Sequence, residues 1–479
     1  MAKLKQVEQL KSNQNTLLHG FVILFPLLVI SLLYSTKAVD AVLLPKFIAF
    51  AVFTIFINAV ALKNAQAFDI IKQQLFFKIY VAYLSTSLIS VYISRNFGDG
   101  VFEWLKLFLF GNSIFAISIY FYHHKKFIEQ FVNAINILNA VIVIIGFVQF
   151  LIIFSKQHLT HTATYEVTAT FGHKNIFAEM LFLTFPFTLY NLFTKQGKWK
   201  WLSGTSAFLT LFLITLTLTR AVWLATIAGF FISFPFYFYA LIKGKKIKSQ
   251  LKLYKKNILI IVLLCIAILS SILVYSRIDS FNTIKMQTLT ISSFKYGSVG
   301  ERFQLWKKSI QVFKESPIVG KGLGSWKIEV LKYGHKGLET ENNITFHQRP
   351  HNDFIWIAAE QGIVGLLVYL SLVILLLFLL IKLILKSEYA HEKLFYFLVL
   401  YAYSGYLIYS CLSFPKERIE HQIVLAFLFS IVIINSTKKS STNQNISNPF
   451  LFFIPLILIS GYALKIGISR FVSETHLQK

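Results

Sequence analysis

The sequence predicts an all-α, polytopic integral membrane protein with about 12–13 transmembrane helices and one large extracytoplasmic loop, and three observations predict it. Of 479 residues, 56% are hydrophobic and 14% charged, at a mean hydropathy of +0.62, which excludes a water-soluble globule. The apolar residues come in runs of about 20, the length that crosses a hydrocarbon slab as a helix. The basic residues that raise the formal charge to +26 sit between those runs, as in KGKKIKSQLKLYKK from Lys243 to Lys256. Such clusters anchor loops on the cytoplasmic side and argue against nucleic acid as a partner. Cys265 and Cys411 both fall in apolar runs, so no disulfide framework is expected to hold an external domain.

The chain opens on MAKLKQVEQLKSNQN, polar and basic, and the apolar run behind it has no obvious small-residue cleavage site, so it is expected to be retained. Spans are expected near 17–35, 44–62, 75–94, 101–122, 132–154, 175–194, 200–217, 220–242, 257–275, 362–385, 394–413, 420–435 and 449–468. Between 200 and 242 the sequence LTLTRAVW carries little polar punctuation, and either a tight hairpin or one long bent segment would satisfy it.

Loops after even-numbered spans hold Lys63, Lys72, Lys125, Lys126, Lys195, Lys198, Lys200, the 243–256 cluster, Lys382, Lys386, Lys438 and Lys439, while alternate loops are poorer in basic residues. The N-terminus is therefore expected in the cytoplasm. Three parts follow: a bundle of about nine spans over 1–275, an outer loop over 276–361, and a bundle of three to four spans over 362–479. Long loops that persist among short ones tend to carry function. In this one, Phe303, Trp306, Ile310 and Phe313 recur at helical spacing from Arg302 to Glu315, which describes an amphipathic helix stopped by Ser316-Pro317. It would lie on the outer leaflet or cap the bundle. PIVGKGLGSW then sets Gly320, Gly322 and Gly324 in a tight turn, and Pro350 suits the first turn of a helix running from His351 into the tenth span. NSTKKSSTNQNISN reads as a cytoplasmic linker.

The residues that could carry chemistry gather at expected outer helix ends. FHQRPHNDF crowds His347, Arg349, His351, Asn352 and Asp353 at the mouth of a helix. A histidine there can act as a general base near neutral pH, beside backbone N–H groups that suit an anion such as phosphate. A solvated polar cap is the bland alternative, and His347, His351 and Asp353 as metal ligands is a third, weakened because Pro350 breaks the helical register between the histidines. Arg220 and Arg302 are expected at the outer interface, where two guanidinium forks facing one cavity would suit a diphosphate, against the common role of an interfacial anchor. FGHKN places His173, Lys174 and Asn175 before the sixth span, and Glu179, one turn inside it, is expected to pair with Lys174. SFPKERIEHQ sets Lys416, Glu417, Arg418, Glu420 and His421 at the start of the twelfth span, either neutralising one another or lining the cavity. The chain has no D-x-D triplet, Walker loop or outer G-x-S-x-G elbow, which argues against metal-dependent nucleotide-sugar transfer, ATP-driven transport and serine acyl transfer.

FGHKN, TRAVWLA, GERFQLW, PIVGKGLGSW and RPHNDFIWIAAEQGIVG, in that order over roughly 165–375, resemble the O-antigen ligase and Wzy-like polymerase superfamily of bacterial envelope glycosyltransferases. SFPKERIEHQ resembles one branch of it. The resemblance implies a metal-independent, cofactor-free, inverting enzyme of the lipid-donor glycosyltransferase fold in the inner membrane. It would move a glycan from undecaprenyl diphosphate to an acceptor hydroxyl, such as lipid A-core, on the periplasmic face. It assigns His351 as the base and Arg220 and Arg302 to the diphosphate; His173, Lys174, Asn175, His347, Arg349, Asn352, Arg418 and His421 are substrate-site candidates. A polysaccharide polymerase or a protein O-oligosaccharyltransferase would use the same chemistry. A lipid-linked glycan transporter would need two access states instead, and the one long loop breaks the symmetry such a machine tends to show. Family members are usually drawn with twelve spans and both ends inside, whereas an odd count puts the C-terminus outside.

Overall fold

The computed structural model describes residues 2–156, 163–243, 297–334, 338, 346–437 and 449–477, and among them every regular element is a helix and no sheet forms. In chain order these are α1 (Ala2–Leu32), α2 (Leu43–Ala61), α3 (Ala65–Ile71), α4 (Leu75–Tyr92), α5 (Phe97–Phe121), α6 (Phe127–Lys156), α7 (Lys174–Thr194), α8 (Lys198–Thr217) and α9 (Arg220–Lys243). After the loop come α10 (Gly297–Glu315), the short α11 (Trp326–Glu329), α12 (Asp353–Lys386), α13 (Ala390–Ser410), α14 (Ile419–Ser436) and α15 (Phe450–Leu477). Among the described residues nine are long and apolar enough to cross a membrane: α2, α4, α5, α6, α7, α9, α12, α14 and α15. The protein is a polytopic membrane protein. α8 and α13 are as long but less apolar, and α1 contributes the shorter apolar stretch Leu17–Leu32. The expected ninth span, 257–275, lies outside the described residues, as do the cluster beyond Lys243 and the linker from Lys438.

The starts of several helices are fixed by short polar side chains that satisfy otherwise orphaned N–H groups. Asp40 Oδ1 accepts from the N–H groups of Val42 and Leu43 at 3.3 and 2.9 Å, and Asn96 accepts from Asp99 at 3.2 Å. The stretch around LTLTRAVW is a tight hairpin: α8 ends on Leu218 in the left-handed conformation, and α9 starts two residues later. α9 lies against α13, and Lys393 Nζ donates to Ala240 O at 2.7 Å, tying their ends on the face opposite Arg220.

Two expectations change. α12 begins at Asp353, with Asn352 as its cap, so Pro350 and His351 stand outside the helix. It runs well past the expected start at 362, because it is broken rather than begun there: Gly362 takes φ 64° and ψ −168°, and the freed backbone is satisfied by the loop. Ile363 N–H donates to Pro317 O at 2.8 Å, while Lys321 and Gly322 N–H donate to Ala359 O and Glu360 O at 3.0 and 2.9 Å. A Cβ on Gly362 would stand 2.2 Å from Ile318 O, and one on Gly322 2.3 Å from Ser94 Cα, so the glycine turn and the kink fit only as glycine.

The buried face of α10 also differs from the expected stripe. Leu305, Ser309 and Val312 are buried against Trp326 and Trp356, whereas Ile310 stays exposed and Phe303, Trp306 and Phe313 are half-buried. The helix lies across the bundle mouth, and Trp326 Nε1–H donating to Ser309 Oγ at 2.8 Å fixes which edge points down. α15 ends on that same mouth: Arg470 donates to Asp99 Oδ1 at 2.8 Å, and Glu474 accepts from Asp40 N–H at 2.9 Å.

Candidate functional site

Three helix starts converge beneath α10: those of α7, α9 and α12. Just ahead of each stands a non-glycine residue with positive φ, Ala169 at 49°, Leu218 at 50° and His351 at 55°. Such a conformation costs about 1–3 kcal/mol and persists only where its surroundings impose it, which is typical of functional sites. Each is held from outside. Gln149 of α6 accepts from the N–H groups of Thr168 and Ala169 at 3.2 and 2.7 Å and donates back to Ala169 O at 3.0 Å. Thr219 Oγ1–H donates to Asn175 Oδ1 at 3.2 Å, joining the α7 and α9 starts. Trp306 Nε1–H donates to Pro350 O at 3.0 Å, so α10 holds the backbone beside His351. The His351 ring sits edge-on between His347 and Phe414, with centroids 5.3 and 5.0 Å away.

The surrounding charge is positive. Burial first, then Arg302, His347, His173 and Arg349, hold the His351 pKa well below the ordinary 6.5, so the imidazole is neutral near neutral pH and keeps a lone pair. His173 is exposed at its edge to solvent, yet desolvation by the protein around it, with Lys174, Arg418 and Arg302, lowers its pKa. Burial also lowers Arg302, with Glu179 opposing and Arg220 adding to that shift. Arg302 remains a cation at any working pH. Among the described residues no hydrogen bond or ion pair closes on it, and Arg220 lies close enough to repel it. Two like-charged guanidinium groups beside a neutral histidine make a place where an anion gains and a cation loses.

The other candidates divide between this cluster and its surroundings. His173 caps α7, its Nδ1 accepting from Asn175 N–H at 3.1 Å. Lys174 does not pair with Glu179 as expected; it is buried with Nζ 3.2 Å from the centre of the Tyr165 ring, because the α7 start turns it toward the 163–166 turn. Glu179 lies beside Ser413 in the field of Arg302 and Arg418. Asn352 is a cap, accepting from the N–H groups of Phe354 and Ile355 at 3.0 Å and donating to Cys411 O at 3.0 Å. Arg349 forms a bidentate pair with Glu417, which Lys106 also meets at 3.2 Å. Arg418 bonds Glu420 at 3.0 Å, and Glu420 meets Lys46 at 3.5 Å with both wholly buried. His421 is buried with neither ring nitrogen hydrogen-bonded among the described residues. No group of three His, Cys, Asp or Glu residues placed to hold a metal occurs among the described residues.

Residues 205–370 match the O-antigen ligase (Wzy_C) family model. The matched stretch contains Arg220, Arg302, the glycine turn, His351 and the Gly362 kink, while His173, Glu179 and Arg418 of the same cluster lie outside it. FGHKN and SFPKERIEHQ lie outside it. A search of curated proteins finds no match to this chain.

Sequence reasoning passed over Gln149, Phe414 and the backbone role of Trp306. Gln149 had a signal: a carboxamide inside an apolar span needs a partner and marks a site worth following. Phe414 had none, since an aromatic beside a helix start is ordinary packing.

Proposed function

We propose that this protein is a glycosyltransferase that moves a glycan from undecaprenyl diphosphate to an acceptor hydroxyl, with lipid A-core as the acceptor, at the periplasmic face of the inner membrane. The observation that carries the reading is the neutral, strained His351 beside the like-charged Arg302 and Arg220. A lipid diphosphate donor is already activated, so the reaction needs a base, a stabiliser for the leaving group and a slot for the lipid. His351 takes the proton of the acceptor hydroxyl as its oxygen attacks the anomeric carbon. The bond from that carbon to the diphosphate oxygen breaks, the configuration inverts, and the undecaprenyl diphosphate leaves with the bonding pair. Arg220 and Arg302 hold the developing charge, each by a planar fork that matches phosphate oxygens. Burial, reinforced by the surrounding cations, serves a second end, keeping His351 unprotonated until an anionic donor arrives.

The test is reconstitution of the purified protein in liposomes with an undecaprenyl-diphosphate oligosaccharide and lipid A-core, with products read by mass spectrometry. Glycan on lipid A-core is the expected product, and His351→Ala should lower the rate by about 100-fold or more while donor binding persists. Longer lipid-linked chains would make it a polymerase instead. Donor crossing the bilayer with no new glycosidic bond would remove the catalytic reading.

A further inference from the structure

The segment that follows α10 returns to the bundle with an apolar tip uncovered. Pro317, Ile318 and Val319 project at the break in α12, and Ile318 is 65% and Val319 43% exposed. Single exposed aliphatic residues are ordinary on any protein surface. Here two stand side by side, after a proline that is itself exposed, at the tip of a turn whose next residues, Gly322 to Trp326, are all buried.

Two helices fix the depth of this tip. Between Ile363 and Ile381 α12 carries no charged residue, and Lys382 follows. At the rise of an α-helix that stretch is roughly 28 Å long, close to the ~30 Å of a hydrocarbon core. Its exposed side chains, Ile363, Val364, Leu367, Ile374 and Phe378, recur at helical spacing on one lipid-facing stripe. Ile363 and Val364 therefore stand at the hydrocarbon edge on the His351 side. α4, at roughly 27 Å, spans the same slab and ends on Tyr92, an exposed residue of the type that marks membrane interfaces. The tip is tied to both helices at that level. Ile363 and Val364 N–H donate to Pro317 O and Ile318 O at 2.8 and 3.3 Å, and Leu323 N–H donates to Ser90 O at 3.1 Å.

The charges on either side of the tip close on each other. Glu315 before it and Lys321 after it meet at 2.7 Å, so Pro317, Ile318 and Val319 present no charge of their own. Acyl chains already cover the stripe of α12 with which the tip is continuous, and a charge-free aliphatic surface at that depth gains by joining them. We propose that Pro317–Val319 is a wedge seated in the acyl chains of the leaflet on the His351 side, and that it sets the height of the α12 start in the bilayer. The lipid contact stands apart from the transferase reading; its role rests on it. Lys321 and Gly322 N–H bond to Ala359 O and Glu360 O, and Asn352 caps the same helix two turns earlier. The seated wedge thus keeps His351, beside that cap, level with the plane in which a lipid-borne diphosphate lies.

The test uses the full chain in liposomes, with Cys265→Ala and Cys411→Ala as background and a nitroxide placed on Ile318→Cys or Val319→Cys. Collision with oxygen, which concentrates in hydrocarbon, is compared with collision with a water-soluble nickel chelate. Leu367→Cys on the lipid stripe and Lys314→Cys on the exposed side of α10 give the two reference values. Both tip labels should favour oxygen, as Leu367→Cys does. A preference for nickel, as at Lys314→Cys, overturns the wedge, and so does shielding from both reagents, which would mean that protein covers the tip. Val319→Asp sets a charge at the hydrocarbon edge and should lift the tip. Transfer from the lipid donor should then fall by about tenfold, the scale of a sub-ångström misplacement of the base. Labels in hydrocarbon with transfer unchanged in Val319→Asp would keep the lipid contact and overturn its role. Labels in hydrocarbon with no transfer by the wild type would fell the transferase reading and leave the wedge standing.

Discussion

Arg302 and Arg349 both act on His351 through space, and the structure uses them in opposite ways. Arg349 is locked to Glu417 through both carboxylate oxygens, with Lys106 behind it and Glu103 at 2.6 Å from that lysine. Arg302 lies in range of Glu179, whose charge offsets part of the cost, and of Arg220, which repels it, and no carboxylate reaches it within ion-pair distance among the described residues. The first arrangement is self-sufficient: two cations meet two carboxylates, and the wall of the cavity is complete without a ligand. The second is closed by no ion pair, only by the more distant Glu179, which fits the proposed role of holding an anion. Charge at a membrane surface therefore says little by itself; what separates anchor from ligand is whether the protein supplies the counter-ion.

That contrast is most easily broken at Glu417. Glu417→Ala leaves Arg349 and Lys106 facing a deeply buried vacancy, and removing one partner of a buried ion pair typically costs about 3–5 kcal/mol. Thermal unfolding in detergent should register a fall of several degrees. Arg302→Ala removes one of two repelling cations and should leave the melting temperature within the shift expected of about 1 kcal/mol. If both variants melt alike, the walls and the cavity are not distinct in the way the ion pairs suggest.

The next effect is on activity and is smaller. Arg302→Lys and Arg220→Lys keep the charge and lose the planar fork, so transfer should drop by about tenfold or more. Arg349→Lys should leave turnover within a factor of about three, because its work is to hold Glu417. Measuring kcat/KM for the donor in the three variants checks this, and wild-type values in the first two would return those arginines to the role of interfacial anchors.

How far the sequence could lead follows the same line. Span positions were legible because a 20-residue apolar run has few other uses, and the hairpin at Leu218 was one of two readings the residues allowed. The glycine turn was legible as a turn, but not its counterpart at Gly362, since a single glycine in an apolar run says nothing about which loop will fill the break. The site residues were legible as a set because polar residues are rare at these helix ends. Their roles were not. Nothing in FHQRPHNDF tells that Arg349 finds Glu417 while His351 faces the opposite way, and the pairing of Glu179 with Lys174 failed because proximity along a helix start does not decide which side a long side chain takes.

The smallest effect concerns pH and tests the electrostatics directly. An ordinary histidine, with a pKa near 6.5, would be about three-quarters protonated at pH 6 and lose most of its capacity as a base. Burial and the surrounding cations hold His351 below that value, and lowering a base's pKa preserves its unprotonated form to lower pH, so kcat/KM should stay level from pH 8 down to 6. On the proposed function, a bound donor would change the sign of the field. A diphosphate seated between Arg302 and Arg220 brings negative charge close to the imidazole and favours its protonated form, so the pKa in the complex rises. An acid limb should then appear in kcat at higher pH than in kcat/KM, because the first reports the loaded enzyme and the second the free one. The two profiles should converge in Arg302→Ala, which weakens both the field on the free histidine and the hold on the diphosphate. A kcat/KM profile with its own acid limb at about 6.5 would mean that neither burial nor the cations act on the group that takes the proton, and His351 would lose its place as the base.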